Sequence, residues 1–202
     1  MKFNARQRTD CGLSLVFNNL KCVLMKTIIV YYSFSGNNEQ LAKHLHEKLN
    51  CDILQLETVR KRGPLSIFLD ILFSRSPAIQ PRNWSMARYD RFIFVAPVWA
   101  GKMASPLRTF LREESKFILH YSFITVCGGG QNNQREALEK ELASILETPP
   151  ERVAELWVKE MLEVKKMDAD KFTSAYRITP KDLMYFSRKI DDFVKPHTAV
   201  AL

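Results

Sequence analysis

The sequence predicts an α/β protein, a three-layer αβα sandwich around a five-stranded parallel sheet. Two observations predict it. Runs of β-formers alternate five times with segments whose apolar residues recur at helical spacing, the order of parallel strands joined by crossover helices. The first, third and fourth strand runs each end in a loop containing glycine. In sheets of this kind ligands sit outside the carboxyl ends of the strands, where the strand order switches.

The first strand is Ile28-Ile29-Val30-Tyr31-Tyr32, followed by a helix with Leu41, Ala42, Leu45 and Leu49 on one face. Residues 51–56 alternate enough to be a second strand. Gly63-Pro64 then opens a helix with Leu65, Phe68, Leu69 and Leu72 on one face. Ile67, Ile71 and Phe73 widen that apolar surface, which fits packing on its own core, or burial under a second copy or over a ligand. The third strand is Arg91-Phe92-Ile93-Phe94-Val95-Ala96-Pro97. Its loop leads to a helix with Ser105 as cap, Pro106 at its first position and Leu107, Phe110 and Leu111 inward. Residues 121–127 form the fourth strand. Asn133 and Glu136 have capping-box spacing ahead of Leu138, Leu142, Ile145 and Leu146, and Pro149-Pro150 stops that helix. Residues 154–158 read as a fifth strand or a helix start, and residues 159–179 carry no clear period. Thr179-Pro180 begins a last helix with Leu183, Phe186, Ile190 and Phe193 inward.

At 202 residues and 46% hydrophobic content the chain can bury one good-sized core, and residues 25–202 read as a single domain. Residues 1–24 have no clear period and no signal-peptide centre. They read as a disordered extension or an upstream-start artefact, with Met25 the natural start. No apolar run approaches the ~18–20 residues of a membrane span. The net charge is +8, but the excess is scattered, without aromatic interleaving, so neither nucleic acid nor membrane is an expected partner. Cys11, Cys22, Cys51 and Cys127 show no zinc spacing, and reduced thiols in a cytoplasmic protein are expected.

Three loops carry the candidate chemistry. Ser33-Phe34-Ser35-Gly36-Asn37-Asn38 joins the first strand to a helix whose first turn offers unpaired N–H groups. It reads as a phosphate cradle, or as an ordinary turn with an Asn cap. Pro97-Val98-Trp99-Ala100-Gly101 follows the third strand, and Cys127-Gly128-Gly129-Gly130 closes the fourth. No Walker loop, dinucleotide fingerprint or hydrolase elbow is present.

Residues 31–38, 89–111 and 125–130 together resemble the flavodoxin family, a likeness covering most of residues 26–196 and implying strand order 2-1-3-4-5. The resemblance implies FMN as cofactor. Its phosphate would lie on Ser33, Ser35, Gly36, Asn37 and Asn38, with Phe34 in the same loop. Trp99 would stack on the ring, within the loop from Pro97 and Val98 to Ala100 and Gly101. The Ala100–Gly101 carbonyl would turn toward flavin N5 and favour the one-electron reduced form. Residues Cys127, Gly128, Gly129 and Gly130 would meet the ring edge through backbone groups. The chain departs from the family in having Asn38 where threonine is common, no tyrosine in the third loop, and a basic charge. The expected function is electron transfer to redox partner proteins or a small electron acceptor. The alternatives are an FMN-dependent NAD(P)H:quinone oxidoreductase and a non-redox relic binding another phosphorylated ligand or a protein.

Overall fold

Thr27–Tyr31 forms β1, and four of its five residues are buried, as befits a strand covered on both faces. The computed structural model describes residues 25–61, 63–73, 75–130 and 132–198. The expectations placed on residues 1–24 lie outside them. α1 (Asn37–Leu49) leads to β2 (Asp52–Gln55), then α2 (Pro64–Phe73), a 3-10 turn at Met86–Arg88 and β3 (Arg91–Val95). A small hairpin follows, β4 (Val98–Trp99) and β5 (Lys102–Met103), where sequence spacing shows only a loop. Then come α3 (Ser105–Glu114), a 3-10 turn at Ser115–Phe117, β6 (His120–Cys127), α4 (Gln134–Leu146) and β7 (Arg152–Trp157). The chain ends in α5 (Val158–Val164), α6 (Ala169–Phe172), a 3-10 helix at Pro180–Phe186 and α7 (Ser187–Thr198).

The five long strands are parallel in the order β2-β1-β3-β6-β7. Counting only these strands, the order is 2-1-3-4-5, the flavodoxin-like arrangement, whose switch point lies between β1 and β3. Tyr31 pairs with Val95, and Val95 with Ile124, so the loops after β1 and β3 leave the sheet at one level. β6 runs on to Cys127, opposite Trp157.

Successive strand residues point to opposite faces. Ile28, Val30, Phe92 and Phe94 meet Leu107, Phe110 and Leu111 of α3 and Leu138 and Leu142 of α4. Ile29, Ile93, Val95 and Ile124 meet Leu41, Ala42 and Leu45 of α1, with Phe186, Ile190 and Phe193 from the C-terminal helices. The apolar spacings of α1, α3, α4 and the last helix are all realised in these two layers.

Four details correct the sequence reading. Ser105 is the first helical residue, not the cap; Ala104 holds that position, and the Ser105 hydroxyl donates to Asp70 Oδ2 at 2.8 Å. Asn133 holds the cap position but makes no capping box: it sits at φ 63, in the left-handed region, and its side chain makes no cap hydrogen bond. The fifth strand runs two residues earlier than expected, and Val158 opens a helix. In α2, Leu65 is 72% exposed while Ile67 and Asp70 are buried, so the inward face is offset from the expected one. Buried Asp70 on that face accepts the Ser105 hydroxyl.

Candidate functional site

The loop after β1 is shaped by Gly36, the α1 cap, at φ 90. A side chain there would be strained, and a Cβ would project into open space, so the backbone is bare on its outer side. The first bond of α1 runs from Gln40 N–H to the Gly36 carbonyl at 3.1 Å. The N–H groups of residues 37–39 therefore have no acceptor within the helix, and the positive end of its dipole faces the loop. Ser33 Oγ accepts the Gly36 N–H at 3.1 Å, which leaves the Ser33 hydroxyl hydrogen to turn outward. The acid in this first turn, Glu39, is paired with Lys43 at 2.6 Å.

The two asparagines do something the sequence does not suggest. The Asn38 amide is buried. It donates to the Val126 carbonyl at 3.0 Å and accepts the Val126 N–H at 2.9 Å. The Asn37 amide donates to the Tyr176 carbonyl at 3.1 Å and accepts the Ile178 N–H at 3.0 Å. The first clamps the loop to β6, the second to the segment after α6. Each clamp uses the amide oxygen and one of the two amide hydrogens, and neither side chain caps the helix. One signal was legible: Asn38 lies three residues before Leu41, on the inward face of α1, where a polar residue needs a buried partner.

In the second loop, β4 and β5 pair Val98 with Met103 and Trp99 with Lys102. The two connecting residues, Ala100 at φ 49 and Gly101 at φ 76, make a type I′ turn. Trp99 meets Tyr32 at 6.0 Å and Phe34 at 6.3 Å between ring centroids, edge to face in both cases. Phe34 is 44% exposed. These rings join the first loop to the second above the β1/β3 switch.

The third loop rests on the C-terminal helices. The Gly128 carbonyl accepts the Lys159 N–H at 2.8 Å, and a Cβ on Gly128 would stand 3.0 Å from Thr173 Cγ2. A Cβ on Gly130 would stand 2.2 Å from Trp157 Cζ2, so only glycine fits over that ring. Trp157 Nε1 is buried and has no acceptor among the described residues. Gly129 and Gly130 are exposed, and no aromatic stands between residues 127 and 130. Burial, with the nearby Glu155 charge, pushes the Cys127 thiol up to about 12, so it stays protonated and inert.

Of the expected residues, Ser33, Phe34, Ser35, Gly36, Asn37 and Asn38 share one loop, Pro97, Val98, Trp99, Ala100 and Gly101 the adjoining loop and hairpin, and Cys127 to Gly130 the third. The Phe34–Trp99 contact and the Asn38 clamp place all three at one edge of the sheet. Among the described residues no cluster of His, Cys, Asp or Glu could hold a metal ion, and no helix is long and apolar enough to cross a membrane.

The fold and these loops define the class: an α/β protein of the flavodoxin-like fold with its loop site at the β1/β3 switch. No family model matches the chain. Among solved structures, it is similar to a flavoprotein from Lactobacillus acidophilus in complex with FMN, at 20% identity and TM-score 0.57, over 70% of this chain and 97% of that one. The apo form of the Lactobacillus acidophilus flavoprotein matches at 20% identity and TM-score 0.54, over 67% and 95% of the two chains. A protein described as a flavoprotein, from Bacteroides eggerthii, matches at 14% identity and TM-score 0.56, over 71% and 99%. At these identities the likeness establishes the fold.

Proposed function

We propose that the chain binds FMN at this edge and transfers electrons between other redox molecules. The observation that carries the reading is the meeting of three loops at the β1/β3 switch, held by the Phe34–Trp99 contact and the Asn38–Val126 clamp. The FMN complex of the similar Lactobacillus acidophilus flavoprotein supports it. The residues fit the group. Unpaired N–H groups of α1 and the hydroxyls of Ser33 and Ser35 suit a phosphate, for which backbone donors at a helix start suffice. Trp99 and the bare backbone of Gly128 and Gly129 suit a flat ring. Bound FMN supplies the redox chemistry, and the protein supplies binding and orientation.

Titrating the purified protein with FMN tests this. Quenching of flavin fluorescence with a saturable endpoint is expected. Protein that is colourless and leaves FMN fluorescence unchanged overturns the reading.

One observation favours the second reading, an FMN-dependent NAD(P)H:quinone oxidoreductase. Gly129 and Gly130 are exposed and residues 127–130 include no aromatic, so the third loop itself lays no ring over the flavin and would leave one face open to a nicotinamide or quinone. Steady-state NAD(P)H oxidation with a quinone supports it; failure of that reaction in FMN-loaded protein favours the carrier.

A further inference from the structure

A hairpin of two residue pairs cannot hold itself. Isolated two-stranded ribbons are marginal even when long, and β4–β5 joins neither edge of the main sheet. Its tip adds a cost, because Ala100 occupies the left-handed region. Something outside the hairpin must fix it, and the structure shows what does. Glu141 of α4 turns inward and accepts the Met103 N–H on Oε2 at 2.9 Å. Its Oε1 lies 3.7 Å from Arg108 Nη1 of α3, and the two side chains are 18% and 9% exposed. On the other side the Ser105 hydroxyl, two residues beyond β5, donates to buried Asp70 of α2.

We propose that Glu141 is a positioning residue for the ligand site: its carboxylate anchors β5 through Met103 and thereby fixes where Trp99 stands over the sheet edge. A backbone N–H bonded to a carboxylate is held more strongly than one bonded to a neutral acceptor. Burial raises the Glu141 carboxyl above its usual range, while Met103 N–H and Arg108 work to keep it ionised. Met103 itself is 1% exposed, so water cannot readily replace the lost acceptor. The chain from α4 to ring site is short: Glu141 holds Met103, Met103 pairs with Val98, and Val98 precedes Trp99. The part of the proposal that concerns the flavin rests on the FMN reading above.

The experiment compares Glu141→Ala and Glu141→Gln with the full-length wild type in three measurements. Amide exchange in FMN-free protein is expected to rise about tenfold or more at residues 98–103 of Glu141→Ala, with β3 and β6 unchanged. The FMN Kd rises by about the same factor. Glu141→Gln, whose amide oxygen still accepts an N–H, stays within about threefold of wild type in both. On the FMN reading the hairpin would meet the ring rather than the phosphate, so its loosening is expected to alter affinity for oxidised and reduced FMN unequally. A tenfold inequality moves the midpoint potential of a two-electron couple by about 30 mV. Unchanged hairpin exchange in Glu141→Ala, or a Gln variant as impaired as the Ala one, overturns the proposal. If Glu141→Ala does not fold by circular dichroism, Glu141→Met, which fills the space without an acceptor, takes its place. Wild type that fails to bind FMN overturns the functional reading, whereas the exchange measurement decides the role of Glu141 by itself.

Discussion

The side-chain amide of Asn38 forms both of its hydrogen bonds with the backbone of a single residue, Val126, 88 positions later in the chain. The pair fastens the start of α1 to the end of β6 and so sets the spacing between the first and third candidate loops. Replacing Asn38 by Ala strands two buried backbone groups at about 1–3 kcal/mol each, so a total loss of roughly 2–6 kcal/mol is expected. Asn38→Asp is expected to be at least as damaging at neutral pH, because a carboxylate accepts the Val126 N–H but confronts the Val126 carbonyl. Urea unfolding of both variants checks this. Wild-type stability in Asn38→Ala would return Asn38 to the phosphate-binding role expected of it.

Ala100 sits where glycine is at ease, at φ 49. An alanine in the left-handed region costs about 1–2 kcal/mol, and a new glycine gives back about 0.5–1 through the freedom of the unfolded chain. Ala100→Gly is therefore expected to stabilise the protein by about 0.5–1 kcal/mol. The denaturation midpoint should rise with its slope unchanged; a lower midpoint contradicts the strain.

Gly130→Ala forces a methyl against the Trp157 ring, so either the loop or the ring must move. Expected are a shifted tryptophan emission, weaker FMN binding, and little change in the exchange of β1 and β3 amides. Trp157→Phe in the same background makes room and restores binding. If the single variant binds FMN like wild type, the third loop is not packed as described.

Acid and base should each weaken the molecule in part through one pair, Lys165 and Asp182. Burial works against ionising Asp182, but hydrogen bonds from the Lys165 ammonium and from the Thr179 N–H and hydroxyl outweigh it, so its carboxyl lies below the usual range. Lys165, held by Asp182 and the Tyr176 hydroxyl, is raised to about 12. The depressed acid contributes stability above 3.8 that is lost as pH falls through its folded value. The raised base contributes stability below 10.5 that is lost as pH rises toward 12. Lys165→Met should flatten both limbs of the stability profile, measured by urea midpoint against pH. Unchanged limbs would assign them to other groups.

The strands and helices were legible because the signals are local: β-former runs at residues 28–31 and 92–95, and helical spacing in Leu138, Leu142 and Leu146; the strand order came only with the family resemblance. The site was legible as three loops because glycine and hydroxyl residues cluster after the strands. What those loops do with their side chains was not. Asn37 and Asn38 look like ligand donors in isolation, and only contacts with residues 126, 176 and 178 show them to be clamps. Glu141 and Asp70 carry no motif, since a helix acid reads as solvated surface until its partner is known. The hairpin escaped notice because Ala100-Gly101 is not a typical I′ pair. Residues 159–179 were opaque because two short helices with turns between them leave no period.

The Asn37 clamp ties the first candidate loop to the backbone of Tyr176 and Ile178, well over a hundred positions later in the chain. During synthesis the first βα unit emerges early, yet its loop lacks this fastening until residue 178 has left the ribosome. On the proposed FMN reading, a nascent or prematurely terminated chain carries the loop residues without this fastening and is expected to bind FMN more weakly than the finished protein.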